Sequence, residues 1–163
     1  MVLWITSEVN TMPAQKLRKF LDSHNVEYVT ILHSPAYTAQ RIAQSAHVPG
    51  KELAKTVIVK LDDQFAMAVL PASLHVSLTH LKEAAGVNNA ELADEDEFKS
   101  LFPDCDVGAM PPFGNLYDLD VYVAGQLTED EEIAFNAGSH TELIKLAYRD
   151  FERLVQPKVV ALT

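Results

Sequence analysis

Lys55-Thr-Val-Ile-Val-Lys-Leu61, Asp62-Asp63 and Gln64-Phe-Ala-Met-Ala-Val-Leu70 follow one another without a break. Two runs rich in β-branched and apolar residues flank a two-residue polar turn, which is the pattern of a β-hairpin. Val57, Ile58, Val59 and Leu61 occupy both alternations of the first run, so this strand is expected to be buried on both faces and the hairpin to lie mid-sheet. Five further strands are read at 26–32, 120–124, 133–137, 141–147 and 158–162. Among them stand a first helix capped near Thr11 with Pro13 in its opening turn, a short one from Thr38 to about Ala46, and one over 77–85 stopped by Gly86. Asp94 with Glu97 resembles a capping box opening a helix that ends at Phe102-Pro103, and a last short helix covers 150–155. Several strands are joined too closely for helical crossovers. The expected fold is therefore α+β, an α/β mixture in one domain over residues 1–163, with a mixed, largely antiparallel curved sheet of about seven strands and four to five helices.

Composition narrows the function. With 163 residues, 48% hydrophobic and 22% charged, the chain is long enough for a real core and is neither disordered nor fibrous. Its single cysteine, Cys105, allows no internal disulfide, which fits a reducing, cytoplasmic compartment. Met1 to Thr6 is apolar but too short for a signal segment, and no run is long enough to span a bilayer, so no membrane partner is expected. A net charge of −10 argues against a general nucleic-acid-gripping surface, so any such contact is expected to be local.

The second informative stretch is Asp106-Val-Gly-Ala-Met-Pro-Pro-Phe-Gly114. Pro111 and Pro112 stiffen the middle of this loop, while Gly108 and Gly114 are expected to supply permissive dihedrals at its ends. The N–H groups of Gly108, Ala109, Met110, Phe113 and Gly114 are its possible donors. A tight strand connection and a ligand-binding wall both account for it. Lys55 at the mouth of an apolar strand is costly to bury unless used, although position alone also suits a solvent-facing strand entrance. His140 follows Gly138-Ser139 where a strand breaks, so it either enters a cleft or is an ordinary loop histidine. The six histidines show no metal-ligand spacing, Cys105 reads as a packed thiol, and no metal or cofactor is expected.

Lys55 to Val59, Gly108 to Gly114, and Phe135-Asn-Ala-Gly-Ser-His140 through Asp150-Phe-Glu-Arg-Leu154 together resemble the YbaK/prolyl-tRNA-synthetase-associated domain family. Its members are often free-standing editing domains that hydrolyse the ester of mischarged tRNA. The resemblance runs from about Val26 to Leu162 and leaves residues 1–25 as a variable leader and helix. It implies a metal-independent aminoacyl-tRNA deacylase with Lys55 and Gly108 as catalytic positions. Ala109, Met110, Pro111, Pro112, Gly138, Ser139 and His140 would bind the substrate. The implied partner is the 3′ end of an aminoacyl-tRNA, with a synthetase as a further partner, and the implied substrates carry alanine, cysteine or serine on a proline-type tRNA. A binding module without hydrolysis and a small-molecule ester hydrolase are the competing readings.

Overall fold

The computed structural model describes residues 15–34 and 48–163, together with 41 and 46. The chain runs α1 (Gln15–Ser23), β1 (Tyr28–Leu32), β2 (Leu53–Leu61), β3 (Gln64–Pro71), α2 (Leu78–Ala85), β4 (Ala90–Leu92) and α3 (Glu95–Phe98). It continues with β5 (Asp120–Ala124), β6 (Glu132–Asn136), β7 (Glu142–Ala147), α4 (Tyr148–Val155) and β8 (Lys158–Val160). The helix read from Thr38 to Ala46, apart from Arg41 and Ala46, and the Thr11–Pro13 start of the first helix lie outside the described residues.

The hairpin forms as its sequence implies. β2 and β3 pair antiparallel from Ala54 opposite Pro71 to Leu61 opposite Gln64. Asp62 and Asp63 carry φ of 48° and 69°, the left-handed pair that matches a two-residue turn to the twist of its strands. The sheet order is β1-β7-β6-β2-β3-β5-β8, with β4 on β2, so the hairpin is central. Four pairings are antiparallel and three parallel, a mixed sheet with a narrow antiparallel majority. The eighth strand, β4, is the one that sequence passes over. It occupies β2 at Val59 to Leu61, where β6 no longer reaches, because β6 pairs only with Leu53 and Ala54. β2 is thus shared along one side by two strands with a gap between them.

One face of the sheet carries the main core, where Leu17 and Leu21 of α1 and Phe151 of α4 pack with Ile58, Phe113 and Phe135. The opposite face holds two smaller clusters, one with Val59, Leu81 and Tyr122, the other with Leu53, Ala134 and Leu143. Local chemistry sets the helix ends. Ser77 Oγ accepts from the N–H of His80 at 3.2 Å, and Gly86 closes α2 at φ 67°. Glu97 Oε1 accepts from the N–H of Asp94 at 3.0 Å, although α3 lasts four residues before tightening into a 3₁₀ turn. Among the described residues no helix is long and apolar enough to cross a membrane.

Gly114 corrects an expectation. Its φ is not among the positive ones, so it supplies no special dihedral. Instead a Cβ at this position would stand 2.6 Å from both Leu119 O and Val121 Cγ2. Glycine is required there by close approach. Gly114→Ala is expected to cost about 1–3 kcal/mol of unfolding free energy, the range for overpacking. Gly125→Ala, which meets nothing within 4 Å, should change stability little. Thermal melts of the two variants check this, and equal melting temperatures would contradict it.

Candidate active site

Lys55 is the first residue after Ala54, whose pairing with Phe135 is the last between β2 and β6. One step beyond that pair the strands part. β2 goes on with Lys55, whereas the β6 chain runs through Asn136 and Ala137 into Gly138. Ala54 and Ile58 belong to the main core, so strand alternation puts Lys55 on the other face, the face of Leu53 and Val57. It is half-buried, and burial holds its pKa below the ordinary lysine value. Among the described residues it has no hydrogen-bond or ion-pair partner.

At the same fork two loops are joined. The N–H of Asp106 donates to Gly138 O at 2.7 Å, and the N–H of Gly138 donates to Ala109 O at 2.9 Å. Gly108 and Gly138 both sit at φ 86°, a conformation that side chains other than glycine rarely adopt. His140 Nε2 lies 3.0 Å from Val107 O. Since a carbonyl only accepts, Nε2 carries the proton, and in the neutral ring Nδ1 is then the acceptor nitrogen. A Cβ on Gly108 would lie 3.7 Å from His140 Cε1, so the two positions are in contact. The N–H of Ala137 donates to Glu142 O at 3.0 Å and closes the β6–β7 turn that carries Ser139 and His140. From outside, Arg18 Nη2 meets Glu142 Oε2 at 2.7 Å, so α1, read as a variable leader, braces the start of β7.

The loop presents less than its sequence suggested. Ala109, Met110, Pro111 and Pro112 are buried, and Met110 is part of the main core. Ala109 cannot serve as a donor, because its N–H is taken by Asp106 O at 3.0 Å. Gly108 N–H approaches only Met110 Sδ, a weak acceptor, at 3.3 Å and can be exchanged for a ligand. Ser139 is buried, with its Oγ 3.3 Å from Thr141 Oγ1. Cys105 lies 3.7 Å from Tyr117 Oη. Burial and the Asp104 carboxylate push its thiol up to about 12, which leaves it protonated and unreactive. Among the described residues no three His, Cys, Asp or Glu side chains gather to hold a metal.

Three residues at the fork lie in stretches that the sequence singles out but receive no site role there. Asp106 and Val107 hold the loops through backbone atoms, which no side-chain pattern signals. Asn136 has its Oδ1 buried without a partner among the described residues.

A family model described as the aminoacyl-tRNA editing domain matches residues 33–154. The multifunctional Ser/Thr-tRNA deacylase ProXp-y of Escherichia coli strain K12 is 27% identical over 151 residues, which cover 90% of both chains. A proline–tRNA ligase of Macrococcus caseolyticus is 23% identical over 164 residues, covering 84% of this chain but 28% of the ligase. The solved structure of a candidate trans-editing enzyme for prolyl-tRNA synthetase superimposes with a TM-score of 0.79 at 18% identity, over 92% of this chain and 96% of that one. At that identity the superposition shows a shared fold.

The depressed pKa of Lys55 is open to direct titration. Lys60, hydrogen-bonded to Glu97 and beside Glu91, is displaced upward and serves as the opposite case. In a ¹³C-dimethyl-lysine NMR titration, Lys55 should lose its proton at lower pH than Lys60. Because the unfolded chain binds this Lys55 proton more tightly than the folded one, its contribution to stability rises with pH through the interval just below the ordinary lysine pKa. Coincident titration of the two lysines would contradict the burial of Lys55.

Proposed function

Because the chain belongs to the aminoacyl-tRNA editing domain family, we propose that it hydrolyses, in trans, the ester of mischarged aminoacyl-tRNA. What supports the reading is the placement of an unpaired, partly desolvated ammonium, Lys55, at the fork where two glycine-hinged loops are bonded together. An aminoacyl ester is already activated. Its hydrolysis asks for a positioned water and for stabilisation of the developing oxyanion, without a protein nucleophile. Water adds to the carbonyl carbon, negative charge moves to the carbonyl oxygen, and the ribose oxygen departs with a proton. Lys55 and the Gly108 N–H supply the positive potential. Met110 adds a second N–H without a partner among the described residues. Buried Pro111 and Pro112 fix the loop behind these donors, and Gly138 with Ser139 fixes the turn that presents His140.

The substrate side of the proposal follows from rigidity. A methylene changes binding by only about 1–3 kcal/mol, so such a site admits residues smaller than its target, while stiff walls exclude a larger or cyclic one. Alanine, cysteine and serine on a proline-type tRNA are the proposed substrates, and correctly charged prolyl-tRNA is spared. One editing domain over 1–163, acting in the cytoplasm on the 3′ end of the tRNA and alongside a synthetase, completes the reading. The −10 charge confines the nucleic-acid contact to that end.

Single-turnover deacylation of alanyl-, cysteinyl-, seryl- and prolyl-tRNA tests it. The wild type should release the first three and spare the fourth. Lys55→Ala should slow release by about 100- to 1000-fold with the fold retained. His140→Ala should narrow the gap between alanyl and prolyl forms more than it slows alanyl release. Release from none of the four would identify a binding module or an enzyme for another ester, and a Lys55→Ala variant with half of the wild-type rate would remove Lys55 from the chemistry.

A further inference from the structure

Leu53 and Ala134 are register partners on the parallel strands β2 and β6, and both belong to the same small cluster on the face away from the main core. Two residues further along each strand, alternation returns to that face, at Lys55 on β2 and Asn136 on β6. Ile133 and Phe135, the residues that alternate with these on β6, lie in the main core. Lys55 and Asn136 are therefore lateral neighbours on one face, one step beyond the Ala54–Phe135 pair, at the point where the strands part.

Neither side chain is satisfied. Among the described residues the buried Asn136 Oδ1 lacks a hydrogen-bond partner and Lys55 has none either, so the two do not bond to each other. A buried carboxamide oxygen without a donor costs free energy that a bound group can return. The ligand that completes this pair must offer an oxygen to the ammonium and, a few bonds away, an N–H to the carboxamide. An α-amino ester has that arrangement, with two carbons between its carbonyl oxygen and its α-amine. Asn136 suits the amine better than a carboxylate would, because a carboxylate at this position would pair with Lys55 and quench it.

We infer that Asn136 is a substrate-binding residue that recognises the free α-amine of the aminoacyl group, while Lys55 faces the oxygen side of the same group. The inference rests on the editing reading above and adds to it a specificity for esters that carry an α-amine. Asn136 has no covalent part in the reaction.

The test compares alanyl-tRNA with propionyl-tRNA, which lacks the amine and adds no bulk. Each enzymatic kcat/KM is divided by the spontaneous hydrolysis rate of the same ester, which removes the intrinsic activation by the amine. The wild type is expected to favour the alanyl form by at least about 10-fold. Asn136→Ala should lose about 10- to 100-fold on the alanyl form, the range for a hydrogen bond to a charged or strongly polar group, and nothing on the propionyl form. A purely structural role would lower both rates together and leave their ratio intact, which overturns the inference. Equal normalised rates in the wild type overturn it without any variant, so a poorly folded Asn136→Ala does not protect it. If the wild type hydrolyses the propionyl form well and the alanyl form no better, the editing reading stands and only the role of Asn136 falls. If it hydrolyses neither, both fall.

Discussion

Two backbone hydrogen bonds, Asp106 N–H to Gly138 O and Gly138 N–H to Ala109 O, are the constraint on which the candidate site depends. They join segments about thirty residues apart in the chain, at the place where β6 leaves β2. Bonds of this kind need backbone groups that face each other without side chains between them. Gly108 and Gly138, both in the left-handed region, make that possible, and a Cβ at either would meet conformational strain. With the loops joined, the contact of His140 with Val107 O follows. The same fork opens the β6 side of Lys55, with Asn136 as its lateral neighbour, while β3 stays paired along its other side.

How much of this was legible in the sequence depends on how local each feature is. The central hairpin was, because alternation and an Asp-Asp turn are written in consecutive residues. So were the stop at Gly86 and the capping box at Asp94. β4 was not, since Ala90-Glu91-Leu92 has no β-branched residue and becomes a strand only because β2 has an open stretch at Val59 to Leu61. Gly114 was seen as special for the wrong reason. Its role is a close approach to Leu119 and Val121, and contact across a turn leaves no trace in composition.

The site shows the same division. Lys55, Gly108 and His140 were marked by residue type, position and resemblance. Which loop donors are available was not marked, because the loss of the Ala109 N–H to Asp106 O, which leaves those of Gly108 and Met110, is a matter of turn geometry. Asn136 carried no signal of its own. An asparagine near the end of a strand is ordinary until its oxygen is found buried and its lateral neighbour is an unpaired lysine. The electrostatic picture is likewise spatial. In a chain of net charge −10, the acids pair with Lys60, Lys99, Lys145 and Lys158 in the surface contacts that the structure records, and Lys55 is left to burial alone.

The central claim is that the mouth of β2 and the joined loops form one ligand site. An ¹⁵N-resolved NMR titration with an amide-linked alanyl-adenosine, which cannot be hydrolysed, tests it most directly. The account predicts that the signals of Lys55, Gly108, Met110, Asn136, Gly138 and His140 shift together along a single saturation curve, while those of β5 and β8 stay in place. Shifts that gather at β5 and β8, or loop signals that respond while Lys55 does not, would contradict it.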